Sequence, residues 1–422
     1  MSRKGFWFGL VIVLLMLCGL PAEASTLVEE KDEYIIVIDP GHGGDNWGTT
    51  SNENFKEKEI TMKTARALVE ELSQYDGVQV YMTHEKDVDM SLAQRAAYAA
   101  KMDADYLFSI HYNASETHTM FGTEVWIPLD APYHAPCYQF AYLQQLQMQE
   151  LGLFSRGIKT RINDEGTDYY GVIRESVMRE VPAVIIEHCY VDEERDADYC
   201  DEDTDYAEFG RRDAIAIAQF LGLESYELPV EVESLQIEDK VADTYMDASV
   251  PDVCEIKAQM YDKENGLLTI MVNASDAETS VMYYDYTLDG GKTFSKLHPW
   301  PGSDLLTGDY DEHFALLVEY QEGEEAQIYV RAYNKFDLYQ VSNVLSNFAN
   351  VPSSEEMSVV EPEADGSSDG AEELKEYVPV AYEEPAEDNT LRMVVLCLFI
   401  FVWTILLILM GYVIYRFFFK KR

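Results

Sequence analysis

Basic residues are scarce in this 422-residue sequence, which has 31 Lys and Arg against 77 Asp and Glu and a net charge of −46. A protein that binds nucleic acid by releasing counterions needs a basic face, so this composition argues against a nucleic-acid partner. The same shortage argues against docking on anionic lipid through a basic patch. Hydrophobic residues nevertheless make up 47% of the chain, and its length predicts two or three folded units.

Cysteine is also sparse, since the chain has six and no two of them are spaced as Cys-x-x-Cys. This count excludes a small scaffold held together by a dense framework of disulfides. Cys189 and Cys200 either form one disulfide in an exported protein or remain free thiols.

Two apolar segments near the ends of the chain predict export and membrane attachment. Residues 1–24 combine basic residues, a short apolar run and a small-x-small motif, which is typical of a cleaved signal peptide; an uncleaved anchor is the alternative. Residues 393–415 are uncharged and long enough for one transmembrane helix, whereas a buried core helix would normally show a polar stripe. The positive-inside rule places the basic tail at 416–422 in the cytoplasm. We therefore expect a single-pass protein of the cell membrane, with extracellular N-terminal domains and a C-terminal helix in the cytoplasmic membrane.

Between residues 34 and 223, short apolar runs alternate with segments of helical periodicity. Residues 34–38 form a continuous apolar run that ends at Asp39-Pro40-Gly41, which is typical of a buried strand entering a loop. The other segments give predicted strands at 78–82, 106–110 and 183–186 and predicted helices at 60–72, 92–102 and 206–221. This alternation predicts an α/β domain whose mostly parallel sheet is flanked by helices on both faces.

The pattern changes after an acidic connector at 224–250. Residues 251–350 contain short strand-like runs and a hairpin signal at Asp289-Gly290-Gly291, which predicts an all-β sandwich of immunoglobulin or fibronectin III type. Residues 351–391 are rich in Glu, Asp, Ser and Pro and cannot bury enough apolar area to fold, so we expect an acidic, disordered stalk. The sequence does not identify a protein partner of the sandwich.

Four polar residues lie where predicted strands end or where the first helix begins: His42, Glu57, His111 and Glu187. Because the carboxyl ends of parallel strands meet at one edge of a sheet, we expect these side chains to lie together. Two imidazoles and one carboxylate are a familiar ligand set for a catalytic Zn²⁺ ion, so the first three residues are candidate ligands. Glu187 fits a residue that takes a proton from water and passes it to a leaving nitrogen. A single His or Glu at a strand end is more often structural, and only the joint placement favours a site.

The same residues stand in motifs that resemble the zinc-dependent N-acetylmuramoyl-L-alanine amidase family, also called the amidase-3 family. The matching segments are 38–44 (Ile-Asp-Pro-Gly-His-Gly-Gly), 57–58 (Glu-Lys), Arg95, 109–114 (Ser-Ile-His-Tyr-Asn-Ala), 174–176 (Arg-Glu-Ser) and 181–187 (Val-Pro-Ala-Val-Ile-Ile-Glu). The resemblance implies hydrolysis of the amide bond between N-acetylmuramic acid and L-alanine in peptidoglycan. It also implies that His42, Glu57 and His111 bind one zinc ion and that Glu187 is the catalytic acid and base.

Four further residues are candidates for substrate contacts or for support of the site: Arg95, Asn113, Arg174 and His188. Two positions depart from the family pattern. Asn46 stands where the family usually has Asp, and His188-Cys189-Tyr190 follows Glu187 where the family usually has Gly-Phe or a similar pair. His188 either supports the site or merely fills space, and neither departure removes a ligand.

Three functions fit the sequence. The first is a membrane-anchored cell-wall amidase that uses zinc-activated water. The second is a surface scaffold whose degenerate amidase domain binds peptidoglycan without cutting it, and the third is a zinc hydrolase that cuts another amide bond. The intact ligands argue against the second, whereas only the resemblance separates the first from the third. Trp47 and Trp126 are candidates for stacking on sugar rings, although a single Trp is more often part of a core.

Overall fold

The structure is a computed structural model that describes residues 31–50, 56–223, 244–304, 308–323, 325–346, 348 and 351–352. The chain divides into two compact units, Met1–Val360 and Glu361–Arg422, and every described residue lies in the first. The segments predicted as signal peptide, transmembrane helix and basic tail lie outside the described residues, as does all of the predicted stalk after residue 352.

The described part of residues 34–223 contains six strands and six helices. The strands are β1 (Tyr34–Pro40), β2 (Val78–Met82), β3 (Tyr106–Asn113), β4 (Thr123–Trp126), β5 (Ser155–Lys159) and β6 (Ala183–Tyr190). The helices are α1 (Glu57–Leu72), α2 (Leu92–Lys101), α3 (Ala131–Leu151), α4 (Gly171–Val177), α5 (Glu194–Ala197) and α6 (Asp203–Leu221). Helix α2 begins after Ser91, whose side chain forms a capping box with Gln94, and α6 ends at Gly222 in the left-handed conformation.

The six strands form one sheet in the order β2-β1-β3-β6-β4-β5. Four neighbouring pairs are parallel, and β4 runs antiparallel to β6. Ile36 and Ile38 pack into a core with α1, α3 and α6 on one face of the sheet, whereas Val37 packs with α2 and α4 on the other. Helices therefore cover both faces, as the uninterrupted apolar run of β1 predicts. The mostly parallel sheet expected from the sequence is present, and the reversed β4 makes it mixed.

The described part of residues 253–341 contains seven strands in two sheets. The strands are β7 (Val253–Asp262), β8 (Leu267–Ser275), β9 (Val281–Thr287), β10 (His298–Pro299), β11 (His313–Glu319), β12 (Tyr329–Asn334) and β13 (Tyr339–Val341). One sheet has the order β11-β8-β7 and the other β10-β9-β12-β13, and their ladders are antiparallel. Trp300 lies in the core that the two sheets share. The all-β character agrees with the sequence pattern, and the immunoglobulin or fibronectin III type stays a prediction.

The α/β domain and the sandwich pack against each other through an apolar cluster. Phe121 enters it from the α/β domain, and Met282, Tyr283, Leu297 and Tyr333 enter it from the sandwich. The Tyr283 hydroxyl also donates a hydrogen bond of 2.7 Å to the backbone oxygen of Phe121. The two parts therefore share buried surface.

The expected membrane topology is contradicted. Among the described residues, no helix is both long enough and apolar enough to cross a bilayer. Helix α3 has the length, with 21 residues, but polar side chains such as Gln144, Gln145 and Gln147 interrupt the apolar stretch that a span requires. This finding contradicts three expectations: the transmembrane helix in the fold class, the contact with the cytoplasmic membrane and the single-pass location in the cell membrane. The segment predicted as the span, 393–415, lies outside the described residues.

Candidate metal centre and active site

His42 lies just after β1, in a turn that directs its imidazole towards Glu57. Its φ of 65° is in the left-handed region, which histidine tolerates better than most residues with a side chain. Asn46 lies in the same turn, with its side-chain oxygen 3.1 Å from His42 Nδ1. Asn46 stands where the family usually has Asp. Its amide oxygen accepts a hydrogen bond that fixes the orientation of the His42 imidazole.

Glu57 opens α1 and is only 3% exposed. Its carboxylate accepts hydrogen bonds from the backbone N–H of Thr49 at 2.8 Å and of Tyr112 at 3.0 Å. The imidazoles take the other positions around it, because His42 Nε2 lies 2.9 Å from Oε2 and His111 Nδ1 lies 2.9 Å from Oε1. The carboxylate is held by α1, the preceding loop and β3.

His111 comes from β3 and packs closely against the turn that carries His42. The two imidazole rings meet edge to face, with centroids 4.9 Å apart. A Cβ atom at Gly41 would lie 2.4 Å from His111 Cε1, so only glycine leaves room for the imidazole. One ligand atom each from His42, Glu57 and His111 all lie within 4.8 Å of one another.

The charge state of this triad suits a cation. Burial alone would raise the pKa of Glu57, but the hydrogen bonds and charges of His111 and His42 lower it to about 2. Burial would lower the pKa of His42, whereas the hydrogen bond and charge of Glu57 raise it above its ordinary value. Glu57 is therefore anionic at neutral pH and lies between two nitrogen donors. Two imidazoles and one carboxylate are the protein donor set of one class of catalytic zinc sites.

Glu187 lies beside the triad on the neighbouring strand. In the parallel register of β3 and β6 it is opposite His111, and in the antiparallel register of β6 and β4 it is opposite Glu124. Its side chain is half-buried, and its Oε2 atom is buried without a hydrogen-bond partner in the described residues. Burial and the nearby charges of Glu57 and Glu124 raise the pKa of Glu187 well above its usual value. Glu187 thus has a raised pKa and, among the described residues, an oxygen without a partner beside the three candidate ligands.

Arg95 holds the turn that carries His42. Its guanidinium forms a buried ion pair with Asp39, at 2.7 Å, and donates to the backbone oxygens of Pro40 and His42. Asp39 also accepts hydrogen bonds from Thr83 and Ser109. Arg95 contacts the backbone of the site and none of the triad's side chains.

His188 is fully buried on the opposite side of the strand from Glu187. Its Nδ1 lies 3.1 Å from the backbone oxygen of His111, and its Nε2 lies 2.8 Å from a carboxylate oxygen of Asp213. Both ring nitrogens therefore have a polar partner, and the imidazole is held from two sides. The structure therefore shows a polar link from α6 to the His111 backbone, beyond the filling of space.

The other two supporting candidates lie in different surroundings. Asn113 donates from its side chain to Glu124 Oε1 at 3.0 Å. Arg174 donates to the backbone oxygens of Asp168 and Tyr169, so it holds the loop before α4 and is not brought to the triad.

Two sequence alternatives are also decided by these contacts. Cys189 and Cys200 are buried free thiols, so the disulfide that the sequence left open is not formed. Trp126 is buried and donates to Glu124 Oε1 at 3.2 Å, which leaves its ring no face for a sugar. Trp47 is half exposed, with the Lys56 ammonium 4.0 Å from its ring centroid, and remains a candidate for stacking.

Sequence reasoning missed Glu124, which lies opposite Glu187 on the reversed strand β4. It is 3% exposed, and Arg156 and Lys159 from β5 bind its second carboxylate oxygen. No local pattern signals this cluster, because the segment 123–126 carries no motif. The only sequence signal is a charged residue within a short strand of otherwise apolar character.

The chain is similar in sequence to known proteins. The family model described as N-acetylmuramoyl-L-alanine amidase matches residues 36–219. N-acetylmuramoyl-L-alanine amidase CwlM of Bacillus licheniformis is 34% identical over 164 residues, which is 39% of this chain and 59% of the relative. The probable cell wall amidase LytH of Staphylococcus aureus is 34% identical over 158 residues, covering 37% of this chain and 47% of the relative.

The chain thus spans about half to three fifths of the length of these relatives. Among solved structures, Cwp6 from Clostridium difficile is similar at 32% identity and a TM-score of 0.42, over 45% of this chain and 29% of that one. Residues 36–219, which carry the triad and Glu187, are thus similar to the N-acetylmuramoyl-L-alanine amidase family.

Proposed function

We propose that the α/β domain is a zinc-dependent peptidoglycan hydrolase that cleaves the amide bond between N-acetylmuramic acid and L-alanine. The observation that supports this most directly is the meeting of the His42, Glu57 and His111 ligand atoms within 4.8 Å, with Glu187 next to His111 in register. The relatives named N-acetylmuramoyl-L-alanine amidase support the choice of bond.

The triad would hold one Zn²⁺ ion. A zinc ion in such a site polarises a carbonyl group and makes a nearby water more acidic. Glu187 takes a proton from the attacking water through its unpartnered oxygen. It then donates that proton to the amide nitrogen as the carbon–nitrogen bond breaks, which yields a lactyl carboxylic acid and the free amine of L-alanine; the proton of the acid then passes to that amine.

The remaining candidates have positioning roles in this proposal. Arg95 fixes the backbone of the His42 turn, and His188 fixes the backbone of His111. Asn113 of β3 donates to Glu124 of β4, so it holds together the two strands on either side of Glu187. Arg174 shapes the loop before α4.

The test is digestion of purified peptidoglycan by the purified protein loaded with zinc, with products identified by mass spectrometry. The proposal expects free stem peptides that begin with L-alanine, intact glycan strands and loss of activity with a chelator. Release of peptides cut at another bond would overturn the substrate assignment, and binding without release would favour a scaffold.

Variants separate proton transfer from metal binding. Glu187→Gln should keep zinc and lose about 10²–10⁴-fold in rate, because only proton transfer is removed. His111→Ala should lose zinc as well. Glu59→Gln is the matched control, since this exposed glutamate lies two residues from Glu57 on the same helix. Full activity of Glu187→Gln would refute the mechanism.

A further inference from the structure

A buried arginine connects the active-site domain to the sandwich. Arg156 is only 1% exposed, and each of its donor groups has a partner. Its Nε donates to Glu124 at 2.9 Å, and its Nη1 donates to the Tyr283 hydroxyl at 2.9 Å. Its Nη2 donates to both carboxylate oxygens of Asp337, at 2.8 and 2.7 Å. One guanidinium thus binds a carboxylate of the α/β domain and two side chains of the sandwich.

A β-bulge places Arg156 in this position. Thr123 pairs with Ser155, but the next residue, Glu124, pairs with Gly157, so Arg156 is an extra residue in β5. Such a bulge turns the extra side chain away from its regular direction. Gly122 leaves the space for it, because a Cβ atom there would lie 3.0 Å from Arg156 Cγ.

Glu124 carries the connection onward to the active site. Its Oε1 accepts hydrogen bonds from Asn113 and Trp126, at 3.0 and 3.2 Å, and its Oε2 accepts from Arg156 and Lys159. Asn113 belongs to the strand that supplies His111, and Glu124 is the register partner of Glu187. Oε1 therefore joins the two strands that flank β6, and Oε2 binds the edge strand β5.

The sandwich adds a second carboxylate to this cluster. Arg156 and Lys159 bring two positive charges to the single carboxylate of Glu124, and Asp337 supplies the second negative charge. Asp337 lies in the turn after β12 with a φ of 66°, a conformation that is strained for most residues and recurs at functional positions. Without Asp337, the buried guanidinium of Arg156 would have only the Glu124 carboxylate, which it shares with Lys159.

We propose that Tyr283 and Asp337 of the sandwich are positioning residues of the active site, which hold Arg156 and through it Glu124 beside Glu187. The sandwich is then required for full turnover and does more than space the domain from its surroundings. This inference rests on the proposed amidase function, and it assigns a catalytic purpose to the contact between the two domains.

The test compares Asp337→Asn and Tyr283→Phe with a matched control in the full chain. Lys296→Gln breaks another ion pair across the same boundary, to Glu194 at 2.7 Å, in which both side chains are exposed and neither contacts Glu124. Steady-state kinetics on a soluble muropeptide should show kcat lowered about 10- to 100-fold for Asp337→Asn, with KM and zinc content unchanged. Tyr283→Phe should lower kcat less, Asp337→Glu should restore part of it, and Lys296→Gln should match the wild type.

Hydrogen exchange provides a readout that does not need activity. The amides of β4 should exchange at least about tenfold faster in Asp337→Asn than in Lys296→Gln, because Glu124 loses its anchored partner. Wild-type kcat in Asp337→Asn and Tyr283→Phe, or a kcat loss shared by Lys296→Gln, would overturn the inference. An inactive wild type would refute the proposed function instead, and unchanged exchange in β4 would then still refute the positioning role.

Discussion

Replacing Glu124 by Gln should remove a pH-dependent part of the stability of this protein. Burial alone would raise the pKa of Glu124, but the charges and hydrogen bonds of Lys159 and Arg156 lower it from 4.5 to about 2. Because the folded state lowers the pKa, ionised Glu124 stabilises the fold above pH 4.5 and loses this contribution as the pH falls towards 2.

The size of the effect follows from the difference of about 2.5 pKa units, each worth about 1.4 kcal/mol, which gives roughly 3 kcal/mol at neutral pH. Roughly 2 kcal/mol of this should already be lost at about pH 3, where Glu124 would be mostly protonated in the unfolded chain and ionised in the folded one. Glu124 is only 3% exposed, so solvent screening does not reduce the figure much.

The assay is urea unfolding of the wild type and of Glu124→Gln at several values between about pH 7 and about pH 3. The difference in free energy of unfolding between the two proteins should shrink steadily below about pH 5, because all other carboxylates titrate alike in both. The same substitution at Glu165, which is exposed in the loop after β5, is the control and should change the free energy of unfolding at neutral pH by less than about 0.5 kcal/mol. A flat difference for Glu124→Gln would refute the assigned ion pairs.

Three further substitutions test separate parts of the fold. Gly48→Ala should weaken zinc binding at least tenfold in a titration with a metal-sensitive dye, because its Cβ would lie 2.4 Å from Glu57 Oε2 at a φ of 70°. Arg95→Met leaves Asp39 buried and unpaired, so urea unfolding should show a loss of about 3–5 kcal/mol. Trp300→Ala should cost about 3–5 kcal/mol in the same assay, because it empties the sandwich core. Unchanged zinc affinity in the first, or losses below about 1 kcal/mol in the other two, would contradict the respective contacts.

Much of the candidate site follows from local sequence patterns. The apolar run that forms β1 is followed at once by the turn with His42, and His111 and Glu187 lie in the last part of the strands β3 and β6. Parallel neighbours bring these positions to one edge whatever the details of packing. The amidase family was likewise recognisable from motifs alone, and the match to residues 36–219 confirms it. The membrane-spanning topology was inferred from terminal segments, and the described helices contradict it.

Tertiary structure alone decided what surrounds that edge. The reversal of β4 brings Glu124 opposite Glu187, and one bulge turns Arg156 towards Asp337, which is 181 positions away in sequence. His188 was undecided in the sequence because its partner, Asp213, lies on helix α6, far from β6 in the chain. Periodicity reports which side of a strand or helix is buried, since that depends on near neighbours. A buried ion pair depends on register and on the contact between domains, and these arise only when distant segments pack together.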